Sequence, residues 1–537
     1  MKNKLIGIVL FSALALVGCA GQSTEDPTST GDTNSDGRKS VALEEQQTAK
    51  EKTVLPSLLE KKNNQFEIVA KEASHLLTSD LSVPVWTFNG SVPGPQIRVK
   101  VGEDVKVKLV NELPDPVTIH WHGIPVPNNM DGIPGITMNA VQPGENFVYE
   151  FTAEDTGTYW YHSHQDGVNQ VDKGLYGSFV VEDKTQEEID RDYTLVLDEW
   201  MSNPDSMNME NEATESDSDN MEGMDHEGMD MESDMESESG NMEGMDHDMS
   251  EYDIFTINGK SGASITPLPV TEGEKVRIRL VNAGFMSHSI HLHGHDFKVV
   301  SSDGQEITNP QTIRDQSISI APGERYDIEF TADNPGDWLL ECHGDMQGTD
   351  GMKIAIQYED FDGATADKSN NQEELETFDL AAYGEKEPGV LTLNQDYDVS
   401  YTMDLNTRMA EGGTEYTINE EVFPETENIK VNEGDLVKVK LVNNSMMDDH
   451  PMHLHGHFFQ VLSKNGEPIQ GSPILKDTLN LKPGEEYEVA FIADNPGNWL
   501  FHCHDLHHAS AGMVTQVQYD GFTPDFIPNP EANNQPE

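Results

Sequence analysis

Basic side chains are scarce in this chain of 537 residues, where 33 lysines and arginines stand against 97 aspartates and glutamates, a formal net charge of -64. That balance repels phosphate backbones and argues against a nucleic-acid partner, while it attracts cations; by itself it says nothing about catalysis. Cysteine is scarcer still, with Cys19, Cys342 and Cys503 alone, too few for a disulfide framework. Helical periodicity is almost missing, which sets aside helical bundles. From Ala20 to Gln65 there is no aromatic residue, so this stretch cannot bury enough apolar area to offset its ordering entropy and reads as a flexible linker over 20–62.

The amino terminus carries Lys2 and Lys4, then an uncharged apolar run from Leu5 to Val17. The run is short for a membrane span and has the form of a secretion signal. Leu16-Val17-Gly18-Cys19 resembles a bacterial lipobox, which implies removal of residues 1–19 up to a lipidated Cys19 and anchoring at the cell envelope.

Three segments repeat one another: Lys106-Val-Lys-Leu-Val-Asn111, Arg277-Ile-Arg-Leu-Val-Asn282 and Lys438-Val-Lys-Leu-Val-Asn443. Each alternates charged and apolar residues as a half-buried strand does. A Pro-Gly-Glu turn follows each, at 143–145, 322–324 and 483–485. Short strands with frequent turn signals predict an all-β chain of three tandem Greek-key sandwiches or barrels, over 63–185, 190–362 and 376–525, with a tail at 526–537.

The 20 histidines cluster. His120-Trp-His122, His162-Ser-His164, His450-Pro-Met-His453-Leu-His455 and His502-Cys503-His504 stand out, with His508 and Met513 beyond the last. On a strand alternate side chains share a face, so each His-x-His offers two imidazoles to one metal cluster, while Cys503 points away from His502 and His504. A single such motif is usually a pair of ordinary strand histidines; four in register are not.

In this order, across the first and last repeats, the motifs resemble the signature of the multicopper oxidases. The resemblance covers nearly the whole globular part and implies cupredoxin-like domains holding four copper ions. By that resemblance His450, Cys503, His508 and Met513 hold a type 1 copper, a trigonal His₂Cys site with a weak axial methionine. His120 and His453 hold a type 2 copper, and the two type 3 coppers take His122, His162, His504 and His164, His455, His502. The family's activity is one-electron oxidation of a donor coupled to four-electron reduction of dioxygen to water, with Cys503, His502 and His504 as the electron path. Asp131, in Met130-Asp-Gly, falls where family members carry a carboxylate near the type 2 copper; the alternative is a turn aspartate.

The second repeat departs from this pattern. His288, His291, His293, Cys342, His343 and Met352 match the third repeat, but Gln347 stands at the position of His508 and Glu341 at that of His502. It reads as a vestigial site; the sharper alternative is a cuprous site of Cys342, Met352, His288 and Met346, since soft sulfur suits Cu(I). Between Glu199 and Tyr252 lie 11 of the 23 methionines, with Met-Glu-Gly-Met-Asp-His at 221–226 and 242–247. This acidic insertion, about 201–250, reads as a weak copper-binding segment rather than a solvated linker.

These features point to a laccase-like, lipid-anchored oxidase of Cu(I), of phenols, or of both, acting in copper tolerance. Met513 as axial ligand implies a modest type 1 potential. The alternative is a non-catalytic envelope protein that sequesters copper. Copper nitrite reductase shares the fold but lacks a type 3 pair, and ferrous or manganous ions stay open as donors.

Overall fold

In the computed structural model, which describes residues 56–63, 65–183, 189–202, 251–344, 346–359, 361, 375–410 and 413–536, the three repeated segments are interior strands of three sheets. Glu103–Asn111, Lys275–Asn282 and Leu436–Asn443 each pair in parallel with the first long strand of their own repeat (Phe66–Leu76, Arg191–Met201, Val399–Ala410). On the other side each pairs antiparallel with the strand after the Pro-Gly-Glu turn. Their alternation works as read: Val105, Val107 and Leu109 are buried, while Lys106 and Lys108 reach outward to Glu150 and Glu67.

Each repeat has a second sheet, built around its histidine strand. His120–His122 lies beside Gly157–His162, His288–Leu292 beside Asp337–Cys342, and His450–Leu454 beside Asn498–Cys503. The result is three tandem two-sheet sandwiches, as expected, with strand counts of four and four, six and six, and seven and five among the described residues.

The repeated asparagine explains why the histidine strand arrives in the same place each time. Fully buried Asn111, Asn282 and Asn443 each donate from Nδ2 to two carbonyls, Asp115 and Val141, Met286 and Ile320, Asp448 and Leu481. Each also accepts at Oδ1 from a backbone N–H two residues on. The glycine of each Pro-Gly-Glu turn then donates to the same asparagine's carbonyl. A buried amide with its hydrogen bonds satisfied fixes the loop that feeds the site.

Two expected boundaries shift, and the tail gains a partner. Residues 376–377 were assigned to the third repeat, but Glu376–Thr377 extends the second repeat's sheet beside Gln316–Ser317. The segment expected as linker ends earlier than residue 62, because Ser57 and Leu58 pair with Gln96. The carboxy-terminal tail is bound to the first repeat: Asp166 N donates to the Gln535 carbonyl, Gln165 to that of Asn533, and Ala140 N to Asn534 Oδ1. The signal segment with Cys19 and insertion residues 203–250 lie outside the described residues.

Candidate metal centres

Cys503 sits between two histidine clusters, with its side chain in one and its backbone in the other. On the side-chain face Sγ lies 3.6 Å from His508 Nδ1 and 3.9 Å from His450 Nδ1, and those two nitrogens are 3.3 Å apart. The far nitrogens are engaged: His450 Nε2 meets Ser445 Oγ at 2.7 Å, and His508 Nε2 lies 3.4 Å from Asp505 Oδ2. Asp505 also caps the short helix Leu506–Ser510 by accepting from His507 N, which holds His508 in place. Met513 is fully buried, and its carbonyl accepts from Cys503 N. His508 is 7% exposed. Burial pushes the Cys503 thiol well above its usual range and the His450 imidazole down to about 3. A buried thiol that resists ionising, faced by two neutral imidazoles, is a donor set that a soft cation completes.

On the other face eight histidines converge between the first and third repeats. Their ligand atoms gather as His120, His122 and His453; as His122, His162 and His504; and as His164, His455 and His502, each set within 4.8 Å. His120 stacks on His455 with ring centroids 4.0 Å apart, and His122 on His453 at 3.8 Å.

Six of the eight rings are oriented from behind. His120 donates Nδ1–H to the Asp131 carbonyl, His453 to that of Asp477, His162 to Ser163 and His502 to Cys503. His455 donates from Nδ1 to Asp131 Oδ2, and His122 from Nε2 to Asp477 Oδ1. The inward nitrogens, Nε2 of His120, His162 and His453 and Nδ1 of His122, are buried and meet no hydrogen-bond partner. His455 Nε2 and His502 Nε2 face each other at 3.0 Å although both rings donate from Nδ1. Converging lone pairs in a dry site repel unless cations lie among them, so these residues fit metal ions. Burial, reinforced by neighbouring rings, pushes His122, His164, His455 and His504 well below the ordinary histidine value.

Asp131 is therefore more than a turn residue. It is buried, with Oδ1 3.2 Å from His120 Nδ1 and Oδ2 on His455, joining a histidine of the first repeat to one of the third.

Four neighbours were not anticipated. Asp477 and Thr478 both meet His122 Nε2, at 3.1 and 3.0 Å. Arg325 of the second repeat grips Asp477 through both guanidinium nitrogens, at 2.7 and 2.5 Å. Burial alone would raise the Asp477 carboxyl, but Arg325 outweighs it and holds the group well below the carboxylate range. Gly323 in the second Pro-Gly-Glu turn has φ +82°, and a Cβ there would come within 2.9 Å of His504 and 3.1 Å of His122. The second repeat thus forms a wall of the cluster. Its signal in the sequence was that turn, which looked identical in all three copies.

In the second repeat His288 Nδ1 lies 3.8 Å from Cys342 Sγ, matching His450 and Cys503, and Met352 is fully buried. Gln347 and Met346 are exposed, and buried Glu199 takes the far nitrogen of His288 at 2.6 Å. The second imidazole of a blue site is thus replaced by nothing buried.

Family models described as multicopper oxidase match residues 70–186 and, for a second model, 229–362 and 392–521. The chain is 31% identical to the multicopper oxidase MmcO of Mycobacterium tuberculosis over 82% of its own length and 84% of that protein's. The chain belongs to the multicopper oxidase family. It is an oxidoreductase that binds copper and uses dioxygen and a reducing substrate. It is also 25% identical to copper resistance protein A of Escherichia coli, over 87% and 94% of the two chains. Among solved structures, the multi-copper oxidase from Pseudomonas Thermotolerans aligns with a TM-score of 0.60 at 25% identity, covering 85% of this chain and 98% of that one.

Proposed function

We propose that this oxidase takes its electrons from Cu(I), that it holds four copper ions, and that it serves copper tolerance at the cell envelope. The observation that carries the donor assignment is the loop before His450. Met446 and Met447 are 93% and 85% exposed and are followed directly by Asp448 and Asp449. Adjacent methionines held in water bury no apolar area, but thioethers are ligands for Cu(I), and the carboxylates beside them add attraction for a cation. Asp448 is fixed by Thr407 Oγ1 at 2.7 Å and Asp449 by Asn480 at 2.9 Å. Ser445, directly before Met446, meets His450 itself.

The type 1 copper is assigned to His450, Cys503, His508 and Met513, the type 2 copper to His120 and His453, and the type 3 pair to His122, His162, His504 and His164, His455, His502. Copper bound there supplies one-electron redox chemistry at the first site and dioxygen reduction at the second. The chain's part is connection and proton supply. Cys503 joins the two sites through its peptide bonds to His502 and His504 and through its carbonyl on His502 Nδ1 at 2.8 Å. Asp131 is the carboxylate placed to hold a proton beside His120 and His455. The wall around Gly323 and Arg325 keeps water from the rings.

Export and a lipid on Cys19 belong to the same reading and rest on the amino-terminal sequence. The methionine-rich segment would keep copper close by. The relatives named for copper resistance support tolerance as the role. Steady-state oxygen uptake with Cu(I) and with a dimethoxyphenol tests the proposal. A kcat/KM for Cu(I) well above that for the phenol is expected; faster phenol turnover would make the protein a general laccase, and no uptake with either donor would make it a copper store.

A further inference from the structure

The second repeat carries a cluster that the oxidase chemistry leaves unused. His291 lies near the end of one strand with His293 just beyond it, and Glu341 near the end of its neighbour with His343 just beyond, where His291 lies opposite Glu341. In the third repeat the corresponding positions are His453, His455, His502 and His504, with His453 opposite His502. The face is the same, and so is the support from behind: His291 donates Nδ1–H to the Gln316 carbonyl at 3.0 Å, as His453 does to Asp477. The four clustered histidines of the first repeat, His120, His122, His162 and His164, meet the third repeat, so among the described residues this second face has no partner sheet of histidines and can hold at most a mononuclear site.

The atoms at its centre are close-set. His293 Nε2 lies 2.8 Å from Glu341 Oε1 and 3.3 Å from His343 Nε2, which is 3.8 Å from the same carboxylate oxygen. The His291 ring is 4.4 Å from that of His293, centroid to centroid. Donors about 2.0–2.2 Å from one transition-metal ion stand about 3 to 3.7 Å from one another, and the separations here, 2.8, 3.3 and 3.8 Å, reach that spacing with shifts of a few tenths of an ångström. The side chains of His293, Glu341 and His343 are 20%, 15% and 23% exposed. An ion could therefore enter from solvent and keep a water ligand.

We propose that His293, Glu341 and His343, with His291 beside them, form a solvent-accessible binding site for a single divalent first-row metal ion. Two imidazoles and a carboxylate suit Zn(II) and Cu(II), and the general order of divalent affinities places Cu(II) above Zn(II). The net charge of -64 draws such ions to the surface from which the site opens. The site stands on its own geometry and does not depend on which donor feeds the oxidase.

The test is Zn(II) binding by the copper-loaded enzyme, cleared of loosely held metal and measured by equilibrium dialysis with elemental analysis. The wild type is expected to bind one zinc more than the double variant His293→Ala/Glu341→Gln. Binding by the 203–250 segment is present in both proteins and cancels in the difference. Should the double variant lose its blue colour and its fold, His343→Ala replaces it, with at least tenfold weaker binding at one site expected. Equal counts with the double variant, or unchanged affinity with His343→Ala, would overturn the proposal. With Cu(II) added instead, the wild type should gain an electron paramagnetic resonance signal carrying nitrogen superhyperfine structure that the variants lack.

Discussion

Asp131 and Asp477 occupy matching positions on opposite sides of the cluster, and each serves both domains at once. Asp131 gives its carbonyl to His120 in its own repeat and its carboxylate to His455 in the third. Asp477 gives its carbonyl to His453 in its own repeat and its carboxylate to His122 in the first. The cluster is therefore tied across the domain boundary by two crossed carboxylates, and their environments differ. Asp477 is neutralised by Arg325, whereas among the described residues Asp131 meets no lysine or arginine.

That difference separates their roles. Arg325→Met would strand the buried carboxylate of Asp477, whereas Asp303 would keep Lys476 at 3.0 Å, and removing one partner of a buried ion pair costs about 3–5 kcal/mol. We expect lower thermal stability and loss of copper from the histidine cluster while the blue absorbance persists. Metal analysis alongside the visible spectrum checks this; parallel loss of blue copper would count against a local role.

Asp131→Asn keeps the size of the side chain and the backbone bond to His120 but removes the carboxylate proposed to supply protons. General acid-base groups contribute about 10²–10⁴-fold. We expect kcat for oxygen reduction to fall by about a hundredfold, with anaerobic reduction of the blue site unchanged in stopped-flow traces. A matching fall in the anaerobic step would place Asp131 in the structure of the site rather than in proton supply.

Asp505 caps its helix and lies 3.4 Å from His508 Nε2. A carboxylate behind a ligating imidazole strengthens the ligand and favours the oxidised metal. Asp505→Asn is therefore expected to raise the type 1 potential and slow the passage of electrons to the cluster, as redox titration of the blue band would measure. An unchanged potential would leave Asp505 as a helix cap alone.

How much of this was written in the sequence depends on range. The two sheets per repeat, the alternation of the His-x-His motifs and the opposite facing of Cys503 follow from a period of two, and the histidines gather in the sets that the resemblance implied. What could not be read was contact across the sandwiches. Gly323 resembles Gly144 and Gly484 in sequence, yet a Cβ on either of those would meet nothing within 4 Å. Asp477 lies 355 residues from His122, and nothing local marks it. The boundary at 376 failed for a similar reason, because a two-residue edge strand has no periodicity to detect.

If Met446 and Met447 dock Cu(I), replacing both by Ser should raise KM for Cu(I) about tenfold, the scale of losing one or two soft ligands. Turnover of a dimethoxyphenol should stay within twofold, since both side chains are already in solvent and contribute no packing. Steady-state oxygen uptake with each donor measures the split; an equal loss with both donors would refute docking at this loop.

The second-repeat pair offers a pH test. Burial alone would push the His288 imidazole down, but the Glu199 carboxylate at 2.6 Å, aided by Cys342, overrides it and holds the ring up at about 10, against 6.5 for an ordinary histidine. Because the folded value lies above the unfolded one, this stabilisation is complete below pH 6.5 and is lost as pH rises towards 10. The stability advantage of the wild type over Glu199→Gln, followed by chemical denaturation, should therefore shrink steadily across that window. At neutral pH a proton sits where a metal would need the Nδ1 lone pair of His288. Cys342→Ser is accordingly expected to leave the copper content and the blue absorbance unchanged, in keeping with a vestigial site. Loss of one copper per chain would instead establish Cys342 as a cuprous ligand.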